Sequence, residues 1–150
     1  VMNILKDGPV LAAGTYNGWA LSQRAAAKTL EILTRNDGEI YKTMYAQQEK
    51  LMDGLIELAN KHDIKLRIPE NPGCFYTIFG VEGGRKPIYS EADIADLDEN
   101  MCGRFRKLME DHGVLILPEN RWLMSFVLTD DDIEWTLEAA DQVMQIMKES

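Results

Sequence analysis

The sequence predicts an α+β fold in which helices cover one face of a small, mostly antiparallel sheet. Three observations carry this expectation. Apolar residues recur at helical spacing over several long stretches. Between these stretches lie short apolar runs of strand length, bounded by Gly and Pro. Two of those runs flank a four-residue loop, the arrangement of a β-hairpin.

Residues 1–18 form a short apolar stretch broken by Asp7-Gly8-Pro9 and again by Gly14 to Gly18, so they read as a connecting arm without a core of its own. From Trp19 to Leu33 the chain is rich in Ala, Leu, Gln, Arg and Lys, all good helix formers, and this run ends at Asn36-Asp37-Gly38. A second helix follows to about His62, with Ile40, Met44, Leu51, Leu55 and Leu58 on one apolar stripe. Ile64 to Ile68 alternates apolar with basic residues, and Cys74 to Phe79 is an apolar run; both read as strands. Ser90 and Asp93 give an S-x-x-D capping signal ahead of Ile94, Leu97, Met101, Phe105 and Leu108, which predicts a third helix. Val114 to Leu117 and Trp122 to Val127, on either side of Pro118-Glu119-Asn120-Arg121, read as a hairpin. Thr129 caps a last helix whose first turn carries Asp130, Asp131 and Asp132 at its positive end. Ile133, Leu137, Ala140, Met144 and Met147 supply its buried stripe.

With 150 residues, 45% of them hydrophobic, the chain can build one real core. Its formal net charge of -9 sets it against nucleic acid and anionic membranes, whose fields would repel it. Cys74 and Cys102 have no Cys or His at metal-ligand spacing and read as small core residues in a reducing, cytoplasmic setting. No apolar run approaches the roughly 20 residues of a membrane span, and the N-terminal residues lack the charged and apolar regions of a signal peptide.

Gly14-Thr15-Tyr16-Asn17-Gly18, placed just before a helix, offers a hydroxyl and the free N–H groups of a helix start, a combination suited to a phosphate dianion. Gly and Asn also serve ordinary turns and N-caps, so the segment has two readings by itself. Its neighbours add a resemblance. Gly8-Pro9-Val10 followed by this loop resembles the G-P-V, gap, G-T-x-S-G-N-P segment of class III pyridoxal-phosphate aminotransferases. Pro72-Gly73-Cys74-Phe75 resembles the family's G-S-M-F strand, and His112 to Pro118 is similar to its G-V-Y-L-A-P strand. Thr129-Asp130-Asp131-Asp132-Ile133, with Thr136-Leu137, is similar to its T-x-E-D-I…T-L helix start. The matches fall in order and span almost the whole chain, which most resembles the C-terminal third of the glutamate-1-semialdehyde aminomutase branch.

The resemblance implies the C-terminal small domain of a fold type I enzyme together with its long connecting helix. Residues 1–18 would be an arm and phosphate-contact loop on the large-domain side, 19–62 connecting helices, and 63–150 the small α+β domain. The cofactor would be pyridoxal phosphate, held mainly by a large domain that supplies the covalently attached lysine and an Asp for the pyridine nitrogen. None of the nine lysines here matches the family's Lys segment, so this chain alone is expected to be inactive. The implied partners are that large domain, a homodimer mate and a small amino-acid substrate. Thr15 is the residue the resemblance makes a cofactor contact, donating to the phosphate of the neighbouring subunit. Gly14 and Gly18 either let the backbone approach that phosphate or serve turn geometry alone.

Trp19-Ala20 replaces the family's Asn-Pro. Asn120-Arg121-Trp122 stands where the aminomutases carry Phe-Glu-Ala, and Leu128 where they carry His. These departures argue against the aminomutase activity and for a related aminotransferase acting on an amino acid or amino aldehyde, or an amino-acid racemase of the same fold. Arg121 is a candidate for gripping a substrate carboxylate, since a guanidinium binds that group bidentately; a solvated Arg at a hairpin turn is the plainer reading. His62 and His112 fall at expected helix C-termini, where capping explains them, and Trp19, Trp122 and Trp135 read as packing residues. The rival from another class is an interaction module that keeps the fold and no chemistry.

Overall fold

The computed structural model describes residues 14–149. The chain divides into two compact units, 1–40 and 41–150. In the first, α1 spans Ala20–Leu33 and carries no buried residue. Its exposed face is laced by Lys28–Glu31 and Arg35–Glu31 ion pairs. It ends where Asn36, Asp37 and Gly38 turn left-handed in succession, the stop expected from this Asn-Asp-Gly run.

α2 spans Glu39–Lys61 and, within the second unit, buries Gln48, Leu51, Met52, Leu55 and Ala59. Leu58, expected on the stripe, is half-buried against the same core. The strands are β1 (Leu66–Arg67), β2 (Cys74–Tyr76), β3 (Ile78–Phe79) and β4 (Arg121–Leu123). Two small antiparallel sheets replace the single sheet of the expectation: β1 pairs with β3, and β2 with β4. The Cys74–Phe79 run is thus one extended segment that changes partner at Thr77, where its N–H donates to the Asn120 carbonyl at 3.1 Å.

The hairpin expected around Pro118 is corrected. Val114 to Leu117 forms no strand ladder with Trp122 to Val127, and only Leu117 and Arg121 bridge. Pro118–Asn120 closes a 3-10 turn in which Glu119 and Asn120 are both left-handed, and β4 leaves that turn to pair with β2 instead. The capping signal at Ser90 is genuine but is spent on a 3-10 turn, Glu91–Ile94. α3 begins later, at Glu99–Asp111, capped by Asp98, whose carboxylate accepts from the Met101 N–H at 2.9 Å. Asp98 wins because its own N–H is already fixed to the Phe79 carbonyl at 2.9 Å, so the helix starts where the chain leaves the sheet.

α4, Asp130–Lys148, starts at the expected Thr129. A full capping box joins Thr129 and Asp132, and those bonds hold the Asp132 carboxyl below its ordinary range. Alternate residues of the strands, Phe75, Thr77, Phe79 and Trp122, point into a core shared with Phe105 and Met109 of α3 and with Ile133, Ala140, Val143 and Met144 of α4. Phe75 stacks on Trp122 with ring centroids 5.5 Å apart, and Phe105 lies 4.7 Å from Phe79. Each core aromatic contributes on the order of 2–3 kcal/mol by burial.

Arg67 departs from the alternating pattern, since it is buried where a basic residue was expected outside. Its guanidinium donates to the carbonyls of Lys86, Asp93 and Pro87, so the charge is buried only because three loop carbonyls receive it. No helix among the described residues is long and apolar enough to cross a membrane.

Candidate functional site

Two features bear on the residues singled out in the sequence, one in each unit. In the first unit, Gly14 to Gly18 forms turns closed by Asn17 N–H to the Gly14 carbonyl and Trp19 N–H to the Tyr16 carbonyl, both at 3.1 Å. A Cβ on Gly14 would stand 2.5 Å from the Asn17 side-chain oxygen, the end of an exposed side chain that can turn aside, so the turn favours glycine there without requiring it. Thr15 is exposed, and its hydroxyl makes no hydrogen bond among the described residues. The helix that follows has Trp19 at its N-cap, no side-chain cap and no acidic residue in its first turn. A free hydroxyl beside uncapped N–H groups and the positive end of a helix is a donor set that fits the phosphate end of pyridoxal phosphate. Gly8-Pro9-Val10 and the apolar arm up to Ala13 lie outside the described residues.

The second feature is built around Arg121. It is the first residue of β4 rather than a loop residue of a hairpin, which corrects the expected setting. Register places it opposite Tyr76, with Trp122 opposite Phe75 and Leu123 opposite Cys74. Because side chains alternate across a strand, Arg121, Leu123, Tyr76 and Cys74 share the face turned away from the aromatic core. Leu123 is 60% exposed on it. Arg121 itself is half-buried, and its Nε is fully buried without a hydrogen-bond partner among the described residues. That atom is closed to solvent, so a carboxylate would meet the planar cation at its terminal nitrogens, which form no hydrogen bond among the described residues.

The turn before Arg121 was not legible as part of a site. Asn120 is 2% exposed, and its side-chain amide donates to the Thr77 carbonyl at 3.4 Å. Thr77 in turn accepts from the Trp122 indole N–H at 3.2 Å. The same turn walls a cavity of about 350 Å³ together with Ile78, Cys102 and Arg106. Burial pushes the Cys102 thiol up, which makes it a poor nucleophile. Cys102 packs beside the core, whereas Cys74 lies half-buried on the outer sheet face, away from the expected core position.

The histidines hold structural positions. His62 follows α2, is buried, and its Nε2 donates to Asp141 at 2.6 Å. His112 caps α3, its Nδ1 donating to the Leu108 carbonyl at 2.8 Å. Lys28, Lys50, Lys61, Lys65, Lys107 and Lys148 are ion-paired. Trp122 packs in the core as expected, while Trp19 and Trp135 are about half exposed. Among the described residues no group of His, Cys, Asp and Glu could hold a metal ion.

No family model matches the chain. Solved structures do. An omega-transaminase from Sphaerobacter thermophilus aligns over 93% of this chain with a TM-score of 0.72 at 16% identity. The FumI protein of Sphingopyxis sp. MTA144, solved as a pyridoxal-phosphate internal aldimine, aligns over 93% with a TM-score of 0.72 at 21% identity. The chain spans only 31% and 30% of those two proteins. Its α+β fold is that of the C-terminal portion of pyridoxal-phosphate-dependent transaminases.

Proposed function

We propose that this chain is the C-terminal part of a class III pyridoxal-phosphate-dependent aminotransferase that acts on an amino acid or an amino aldehyde. The observation that carries the reading is the shared fold over 93% of the chain with enzymes about three times its length. The Thr15 hydroxyl, which makes no hydrogen bond among the described residues and precedes a helix without a side-chain cap, also supports it, because that donor set suits the cofactor's phosphate.

When bound, pyridoxal phosphate supplies the electron sink for chemistry at the substrate's α-carbon. The protein's share is binding, orientation and exclusion of water. Thr15 donates its hydroxyl to the phosphate of the neighbouring subunit, with Gly14 keeping the backbone close. Arg121 grips the substrate carboxylate and so fixes which end of the substrate faces the reacting centre. The sheet face that carries Arg121, Tyr76 and Leu123 closes over the substrate against the large domain and excludes water, and the chain supports the homodimer. The covalently attached lysine then belongs to that large domain, and the chain alone is inactive.

The test uses the complete enzyme. A hydrogen bond to a charged group contributes roughly 1.5–3 kcal/mol, so Thr15→Val should speed cofactor loss by about 10- to 100-fold. The fold, read by circular dichroism, should be unchanged. Retention of cofactor equal to that of the unmodified enzyme would reduce Thr15 to a turn residue and remove the site from this reading.

A further inference from the structure

We propose that Thr77 and Asn120 are positioning residues for Arg121, together holding its guanidinium where it meets a carboxylate. The proposal rests on the reading of Arg121 given above and adds to it the residues that aim the side chain.

Arg121 is preceded by two consecutive non-glycine residues in the left-handed region, Glu119 with φ 64° and Asn120 with φ 54°. Such conformations are costly and persist only where the surroundings over-determine them. A turn needed merely to reverse the chain would be easier with glycine at either position. Here the surroundings are polar and specific. Asn120 is clamped to Thr77 through both its backbone and its side chain: its carbonyl accepts from the Thr77 N–H at 3.1 Å, and its amide donates to the Thr77 carbonyl at 3.4 Å. On the other side of Arg121, the Trp122 indole donates to the Thr77 hydroxyl at 3.2 Å. Both chain neighbours of Arg121 are therefore tied to one buried residue, and Thr77 is only 1% exposed. Arg121 itself exchanges backbone bonds with Leu117 at 3.1 and 3.3 Å.

The backbone around Arg121 is thus fixed from three directions while its own Nε is buried without a partner among the described residues. Arg67 provides the contrast. Its Nε, Nη1 and Nη2 all donate to loop carbonyls, as expected of an arginine whose work is structural. The fixed backbone, together with terminal guanidinium nitrogens that form no hydrogen bond among the described residues and are not sealed as Nε is, distinguishes an arginine held ready for an external carboxylate.

The experiment is an NMR titration of the chain with sodium acetate, reading the Nε–H resonances of its arginines. In the unmodified chain Arg121 should shift saturably and Arg67 should not. Thr77→Val removes the indole's acceptor with little change of shape, and Asn120→Asp keeps left-handed tolerance while losing the amide donor. Each should weaken the Arg121 response about 10-fold, with Thr77→Ser restoring it, while the remaining spectrum stays dispersed. If Thr77→Val unfolds the chain, Asn120→Asp and Thr77→Ser still decide the matter. Wild-type responses in the folded Thr77→Val and Asn120→Asp variants would overturn the positioning role and leave the reading of Arg121 standing. No response of Arg121 in the unmodified chain would overturn that reading and the positioning role with it.

Discussion

Gln48 is the residue whose replacement should expose most clearly how the second unit is held together. It lies on α2, is 4% exposed, and uses both ends of its amide on the loop that leads into β2. Nε2 donates to the Asn71 carbonyl and Oε1 accepts from the Gly73 N–H, each at 2.7 Å. Gln48→Leu keeps the volume and removes both bonds. Asn71 is exposed, so water can replace its lost partner and the cost there is about 1 kcal/mol. Gly73 is half-buried, and its orphaned N–H costs roughly 1–3 kcal/mol. Burying an apolar side chain in place of an amide returns about 1 kcal/mol. The net expectation is a loss of about 2 kcal/mol, read as a lower urea midpoint with an unchanged slope. Gln48→Glu sharpens the test. A carboxylate in this site faces the Asn71 carbonyl, so its folded-state pKa is raised, and the variant should recover stability toward low pH, where the protonated acid again donates. A Gln48→Leu variant within about 0.5 kcal/mol of the parent would refute the reasoning, because surface substitutions alone reach that size.

Gly54→Ala pits two effects against each other: about 1 kcal/mol of gained helix propensity against a Cβ placed 2.6 Å from Leu137 Cδ1 and 3.2 Å from its Cγ. Because the clash reaches the branch point of Leu137, overpacking should win by about 1 kcal/mol in chemical denaturation; a stabilised variant would show that α2 and α4 separate freely. Hydrogen bonds from Lys61 and then His62 hold the Asp141 carboxyl below its ordinary value, so its contribution is complete above the normal carboxylate range and is lost as pH falls through the depressed value. Asp141→Asn should therefore lower the melting temperature at pH 7 and abolish that part of the acid-induced loss, while identical acid profiles for the two proteins would count against the bridge.

The helices were legible because periodicity and capping report local energetics directly. Thr129 with Asp132, and the stop at Asn36-Asp37-Gly38, appear where those residues place them. The strands were only half legible. A run such as Val114 to Leu117 has the continuous apolar character and length of a buried strand, yet which partner it takes depends on non-local pairing, and the left-handed Glu119 and Asn120 turn sends Arg121 to β2 instead. Ser90 and Asp93 show the same limit in miniature: the capping box forms, but the chain's attachment to Phe79 through Asp98 decides where α3 begins. Arg121 was legible as a chemical type. Its supports, Thr77 and Asn120, carry no pattern that a single sequence could reveal.

Those supports share a physical origin with Gln48 and Arg67. Strands of two or three residues make too few ladder bonds to fix the loops between them. The remaining backbone groups must be satisfied by side chains brought in from elsewhere. Gln48 serves the loop before β2, Arg67 the loops around Lys86, Pro87 and Asp93, and Asn120 with Thr77 the turn before β4. Apolar packing positions the sheets against α3 and α4, but it is indifferent to small rotations of a turn, whereas a hydrogen bond weakens steeply as its angle departs from linear. The orientation of Arg121 is therefore set by buried polar bonds more than by the core. For that reason Thr77→Val should disturb the arginine's geometry well before it disturbs the fold.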